Sequence, residues 1–206
     1  FTIVVDSPFP LCYGEKGIVE AWVVGDKPFS DRIISFSAGE VSNQVPGEAE
    51  LVLIYQERVE KALQKSDNEC EWESDGNSIH IRAKGIAGHI AFPEKTKNAI
   101  AVLSGFVLRN EILSEKQDQN IMKFISEASS GPDGRGLGIS CTDSISGALV
   151  CGCGIVKTEK GVVRLNINAR CPVTADGYEI LASLKSYASD RGFHVENTRV
   201  LESNYY

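Results

Sequence analysis

The sequence predicts an α+β fold of two halves, each an open sheet with helices packed on one face. Three observations carry this. The order hairpin, helix, strand occurs twice, over 32–84 and again over 147–200. The strand segments alternate apolar and polar residues, whereas the helical segments repeat at three and four. In Val162–Arg170 the apolar set Val163, Leu165, Ile167 and Ala169 shares one face, as a sheet covered by helices on one side requires. Together they describe two ferredoxin-like open-sheet halves, an internal pseudo-duplication visible in pattern, with slight sequence identity between the halves.

At 206 residues, 42% hydrophobic and 24% charged, the chain has the composition of an ordinary globular protein with a substantial core. A net charge of -7, with 21 scattered Lys and Arg, argues against a nucleic-acid surface. No apolar run approaches the roughly 20 residues of a membrane span, so no membrane partner is expected. The chain opens without Met on Phe1–Val5, a run too short for a signal peptide and lacking a basic lead-in. The expectation is a piece of a larger, cytoplasmic protein.

Six cysteines (Cys12, Cys70, Cys141, Cys151, Cys153, Cys171) are too sparse for a disulfide framework. A thiolate metal site would join Cys151 and Cys153 to Cys141 and Cys171. Two thiols on one strand face, with no Cys-x-x-Cys pair, read better as small buried apolar residues.

The elements follow in order. Residues 1–6 form a strand ending in Asp6, and Ser7-Pro8-Phe9-Pro10 makes a stiff exit. A carboxylate at a strand exit suits a metal ligand or catalytic acid, although on local grounds an Asp that starts a turn is the better fit. Strands follow at 17–24, 32–38 and 49–55, the last two paired across the turn-rich Gly39–Gly47. A helix over 56–65 has Val59, Ala62 and Leu63 on one face, and the strand 78–84 turns Ile79, Ile81 and Ala83 inward. Gly85-Ile-Ala-Gly-His89 then reads as a glycine turn that displays a histidine, with a helix opening at Pro93 and Glu94 and running to about Arg109. Such a histidine is well placed for chemistry, although an ordinary surface histidine fits the same position.

A second helix starts from Ser114 as cap and buries Ile121, Phe124 and Ile125. Residues 129–138 read as a mobile loop, not a phosphate loop, because no Gly-Lys-Ser/Thr follows. A hairpin over 147–157 and 161–171, a helix over 176–190 and a strand over 194–200 complete the chain. On the hairpin's outer face Arg164, Asn166, Asn168 and Arg170 stand together, either as solvated surface or as a wall that recognises a carboxylate.

Several stretches together resemble the lid domain of a PepV-type dipeptidase, in the aminoacylase and glutamate-carboxypeptidase group of dinuclear zinc peptidases. They are Asp6-Ser-Pro-Phe-Pro10 with Gly14–Gly17, Ser42-Asn43-Gln-Val-Pro46, Gly85–His89 with Pro93-Glu-Lys and Asn98–Ile100, Ser146–Leu149, and Leu165–Thr174. The resemblance implies that Asp6 ligates one of two zinc ions and that His89 stabilises the oxyanion of the tetrahedral intermediate. It further implies that Asn43 and Arg170 fix a dipeptide substrate, Arg170 by its carboxylate. It divides the chain into 1–13, an edge strand and hinge of the catalytic domain, a lid over 14–201 with halves of about 14–110 and 111–201, and a return linker from 202.

The His-x-Asp motif, the Glu-Glu pair and the late histidine ligand of that group are not in these residues. The expected role is therefore a lid, inactive alone, whose partners are a dipeptide and its own catalytic domain in a monomeric enzyme. Alternatives are the lid of an N-acyl amino acid deacylase or desuccinylase, or a non-enzymatic small-molecule-binding module with His89 and Arg170 at an allosteric site.

Overall fold

A computed structural model describes residues 14–205, so Asp6, Cys12 and the run from Phe1 to Pro10 lie outside the described residues. The strands of the main sheet are β1 (Gly17–Gly25), β2 (Ile33–Ala38), β3 (Glu48–Ile54), β4 (Cys70–Ser74), β5 (Ser78–Lys84), β6 (Val150–Glu159), β7 (Val162–Cys171) and β8 (Phe193–Leu201). The helices are α1 (Glu57–Leu63), α2 (Ala99–Arg109), α3 (Lys116–Ser129) and α4 (Gly177–Ser189). The eight strands form one antiparallel sheet in the order β8-β1-β7-β6-β2-β3-β5-β4. No helix among the described residues is long and apolar enough to cross a membrane.

Alternation decides which face of the sheet is buried. Val19, Ala21 and Val23 of β1, Ile79, Ile81 and Ala83 of β5, and Val163, Leu165, Ile167 and Ala169 of β7 join one core with Ile100, Leu103 and Phe106 of α2, Phe124 and Ile125 of α3, and Leu184 of α4. The opposite face carries charge: Glu50 accepts from Arg82, and Glu71 pairs with Lys84. Cys151 and Cys153 of β6 lie on the core side, and burial pushes the Cys151 thiol up to about 12 and raises that of Cys153 as well.

Three local expectations need correction, and one strand went unpredicted. The helix after His89 begins at Ala99, not Pro93; Pro93–Lys95 is a separate 3₁₀ turn. Lys97 exchanges backbone hydrogen bonds with Ile86 (3.0 and 2.8 Å), which holds this stretch extended until Asn98 caps α2 by accepting from Ile100 N–H at 2.9 Å. Ser114 is not the cap of α3, which starts after Glu115. Residues 129–138 are packed: Leu137 and Ile139 are buried, both donate N–H bonds to Gly134 O at 3.1 Å, and Cys151 N–H donates to Pro132 O at 2.7 Å. Strand β4 went unread because Cys70-Glu-Trp-Glu-Ser74 is acidic, yet its alternation is that of an edge strand with Cys70 inward.

Strand pairing also departs from chain order. β1 lies between β7 and β8 rather than beside β2, its sequence neighbour, and so crosses any division near residue 110. The two ends of the sheet meet where Val156 of β6 faces Ala38 of β2 and where Thr158 Oγ1 accepts from Phe36 N–H at 2.9 Å.

One buried carboxylate ties the loop after β1 to the helix layer. Asp118, 1% exposed in the first turn of α3, accepts from Ser30 N–H at 2.8 Å and from its hydroxyl at 2.5 Å. Asp118→Ala leaves those donors without a partner, and a loss of about 1.5–3 kcal/mol in unfolding free energy is expected from urea titration. An unchanged midpoint would show that Ser30 is held by other contacts.

Candidate functional site

His89 stands on a short rigid ladder rather than a loose loop. The chain leaves β5 at Gly85, whose N–H donates to Gly47 O at 2.8 Å. Gly88–His89 then pairs antiparallel with Gln44–Val45, so that His89 faces Gln44. Ile90 N–H donates to Asn43 O at 3.0 Å, and Phe92 N–H to His89 O at 3.0 Å. The ring is exposed, and its Nδ1 accepts from Ala91 N–H at 3.0 Å. An Nδ1 that accepts a hydrogen bond cannot carry the proton of the neutral ring, so the proton sits on Nε2 and that atom is a donor. Phe92, 70% exposed, lies with its ring centroid 5.8 Å from that of His89.

Asn43 and His89 are thus placed together by backbone bonds between the same two segments. Among the described residues no hydrogen bond engages the Asn43 side chain, which is half-buried.

Arg170 comes from the outer face of β7, across from Ile18 and Val150. It is half-buried, and among the described residues no carboxylate lies within ion-pair distance. Two steps along the strand, Asn168 faces Gly152. A side chain at Gly152 would come within 3.1 Å of Ile90 Cγ1, so Ile90 occupies that space and joins the His89 segment to the face that carries Arg170.

The segment after Arg170 is pinned by Asp143. Its carboxylate accepts from the N–H groups of Ile145 (3.0 Å), Gly147 (3.1 Å) and Thr174 (3.1 Å), and Ser146 Oγ accepts from Val173 N–H at 3.0 Å. Burial alone would raise this carboxyl, but the donors from Ser146, Thr174 and Ile145 outweigh it and hold it well below the usual carboxylate range. That accounts for Ser146-Gly-Ala-Leu149 as a bracing turn.

The described residues do not supply a zinc site. They contain no group of three or more His, Cys, Asp or Glu able to hold a metal ion. Asp6, the ligand implied by the resemblance, lies outside them. A cleft of about 360 Å³ opens behind the His89 segment, between Ile90, Pro93, the start of α2 and Ser129–Pro132. Neither His89 nor Arg170 lines it. Two contributors to the site escaped the sequence reading, Ile90 as the bridge and Phe92 as the exposed ring. The missing side chain at Gly152 was the one available signal for the first.

No protein-family profile matches the chain. It is similar to "Putative dipeptidase YtjP" of Bacillus subtilis, 28% identical over 194 residues, which cover 88% of this chain and 42% of that protein. A Staphylococcus aureus protein of the same designation, SAUSA300_1697, is 24% identical over 221 aligned residues, covering 97% of this chain and 45% of that one. The chain therefore spans less than half the length of the curated relatives it matches. Among solved structures, the aminoacylhistidine dipeptidase from Vibrio alginolyticus aligns over 92% of this chain and 46% of its own, with a TM-score of 0.38 and 10% identity.

Proposed function

We propose that this chain is the substrate-capping lid of a longer dipeptidase, supplying an oxyanion donor and a carboxylate anchor to a catalytic centre built from residues outside it. The observation that carries the reading is His89 itself. It is exposed, braced on a ladder with Asn43, and fixed by Ala91 N–H as the Nε2–H tautomer. A donor held in place before reaction stabilises developing negative charge on a tetrahedral intermediate without reorganising.

Further support comes from the similarity to bacterial proteins named as dipeptidases along nearly the whole chain. Gly14–Glu15 also pairs antiparallel with Asn204–Tyr205, so the connections to a second domain can leave from one place. The topology fits two related halves. β1-α3-β6-β7-α4-β8 follows a βαββαβ order, with β2 to α2 inserted after its first strand. β3-α1-β4-β5-α2 follows the same order, with the upstream β2 in the place of its fourth strand.

In this reading Arg170 receives the free carboxylate of a short peptide, which Arg binds bidentately. Asn43 orients its backbone, and closure of the lid excludes water. Two zinc ions belong to the proposed parent, and Asp6 is the residue of this chain proposed to ligate one of them.

The test is Arg170→Ala in the full-length parent, assayed on dipeptides and on N-acyl amino acids. KM for dipeptides is expected to rise by about 10- to 100-fold with a smaller change in kcat, as expected when a charge-assisted bond is lost. Preference for N-acyl amino acids would point to a deacylase, and an unchanged KM would remove the carboxylate role.

A further inference from the structure

The outer face of β7 holds an unusual set of atoms. Among the described residues, the buried side-chain nitrogen and oxygen atoms without a hydrogen-bond partner are Arg164 Nε, Asn166 Oδ1, Asn168 Oδ1 and Arg170 Nε. All four belong to alternate residues of one strand and share one face, opposite the helix core. Buried polar atoms normally find partners, and leaving one unmade costs free energy, so a row of them at one place points to a partner that arrives from outside the chain.

The four are not equivalent. Arg164 forms ion pairs with Glu159 and Glu196, and its guanidinium lies 5.5 Å from the Trp22 ring centroid. Asn166 donates from Nδ2 to Glu20 at 3.3 Å. Those two side chains are already engaged within the sheet. Asn168 and Arg170 make no side-chain hydrogen bond among the described residues, although Asn168 is only 3% exposed. Asn168 is also the member that faces Gly152, where Ile90 descends from the His89 segment.

We infer that Asn168 is a further substrate-binding residue, whose Oδ1 accepts the backbone N–H of the same substrate residue whose carboxylate rests on Arg170. This deepens the dipeptidase reading and rests on it. The chemistry of the pair is complementary to one end of a peptide: Arg170 offers donors and Asn168 an acceptor. Residues two apart on a strand face are separated by about 6.5 Å. A terminal amino-acid residue presents its carboxylate and its N–H within roughly that span once a hydrogen bond is added at each side. An acceptor beside the arginine selects for a peptide N–H at that position, because a ligand lacking it leaves Oδ1 buried and unpaired.

Asn168→Leu in the full-length parent tests this, with Asn166→Leu as the neighbouring control. The probes are a glycine-ended dipeptide and its counterpart ending in N-methylglycine, which lacks the N–H, measured as KM or as inhibition constants. Asn168→Leu is expected to weaken the glycine-ended peptide at least tenfold and the N-methylated one less than threefold, with kcat within about twofold and the thermal midpoint retained. Asn168→Ser is the fallback if the leucine variant does not fold, with the same expected difference between the two peptides. Equal weakening of both peptides, or a loss that follows a lowered thermal midpoint, overturns the assignment in favour of a structural amide. Unchanged binding in Asn168→Leu alongside weakened binding in Arg170→Ala overturns the role of Asn168 alone. Unchanged binding in both removes the carboxylate anchor and this contact with it.

Discussion

His89→Ala in the full-length parent is expected to lower kcat by about 10²–10³-fold, the loss typical when one oxyanion donor is removed. KM should move little, because a donor in the proposed role engages the charge that develops in the transition state rather than the bound peptide. Metal content should stay the same, since the described residues around His89 form no ligand set. The two measurements together separate a donor role from a structural one. A kcat within threefold of the unmodified enzyme would sink the assignment.

The present chain offers an independent check on the ring. With Nδ1 accepting from Ala91 N–H at 3.0 Å, nitrogen NMR should show Nδ1 as the unprotonated, accepting nitrogen of the neutral form. An Nδ1–H tautomer would leave Nε2 without the proton that the proposed oxyanion role requires.

The second large effect is expected at Gly85, where the chain turns out of β5 toward the histidine. A Cβ there would stand 2.1 Å from Lys97 O and 2.9 Å from Ala99 N. Both atoms are backbone, fixed by the Ile86–Lys97 bridge and by the Asn98 cap of α2, so neither can step aside. Gly85→Val must therefore separate the strand exit from the start of α2. A loss of at least about 3 kcal/mol in unfolding free energy is expected, at the upper end for overpacking because no side chain can absorb the clash. Gly131→Ala is the control, since a Cβ there meets only Asp133 Oδ1 at an ordinary 3.6 Å. Equal midpoints for the two variants in urea would show that Lys97 and Ala99 yield without cost. If the variant still folds, Gly85→Val in the proposed full-length parent should also reduce turnover, because the ladder that orients His89 begins at this turn.

Much of this architecture was open to inspection in the sequence because it depends on local periodicity. Val163, Leu165, Ile167 and Ala169 had to share a face, and a strand with that face apolar had to be covered. The helix expected over 176–190 is α4, Gly177–Ser189, capped by Asp176, which accepts from Tyr178 N–H at 2.7 Å. The helix positions of Ile180, Leu181 and Leu184 follow from spacing alone. His89 could likewise be singled out from its glycine turn and Arg170 from its strand face, whereas Asn43 was named only by the resemblance, and naming a residue does not place it.

Placement was decided by contacts between segments distant in the chain. Local pattern carries no information about which strand β1 will adjoin, and the pairing with β7 and β8 follows from burial of both its neighbours' apolar faces in one core. Pro93 and Glu94 carry a sound helix-start signal, yet the bridge from Lys97 to Ile86 holds that stretch extended and hands the start to Asn98. Asn168 shows the same limit most clearly. Its alternation assigns it to the outer face, but only the folded chain reveals that its amide oxygen is buried there without a partner beside Arg170. Periodicity sets which way a side chain points, because it is a property of the backbone. What that side chain meets depends on residues far away in sequence, and on any ligand that completes the face.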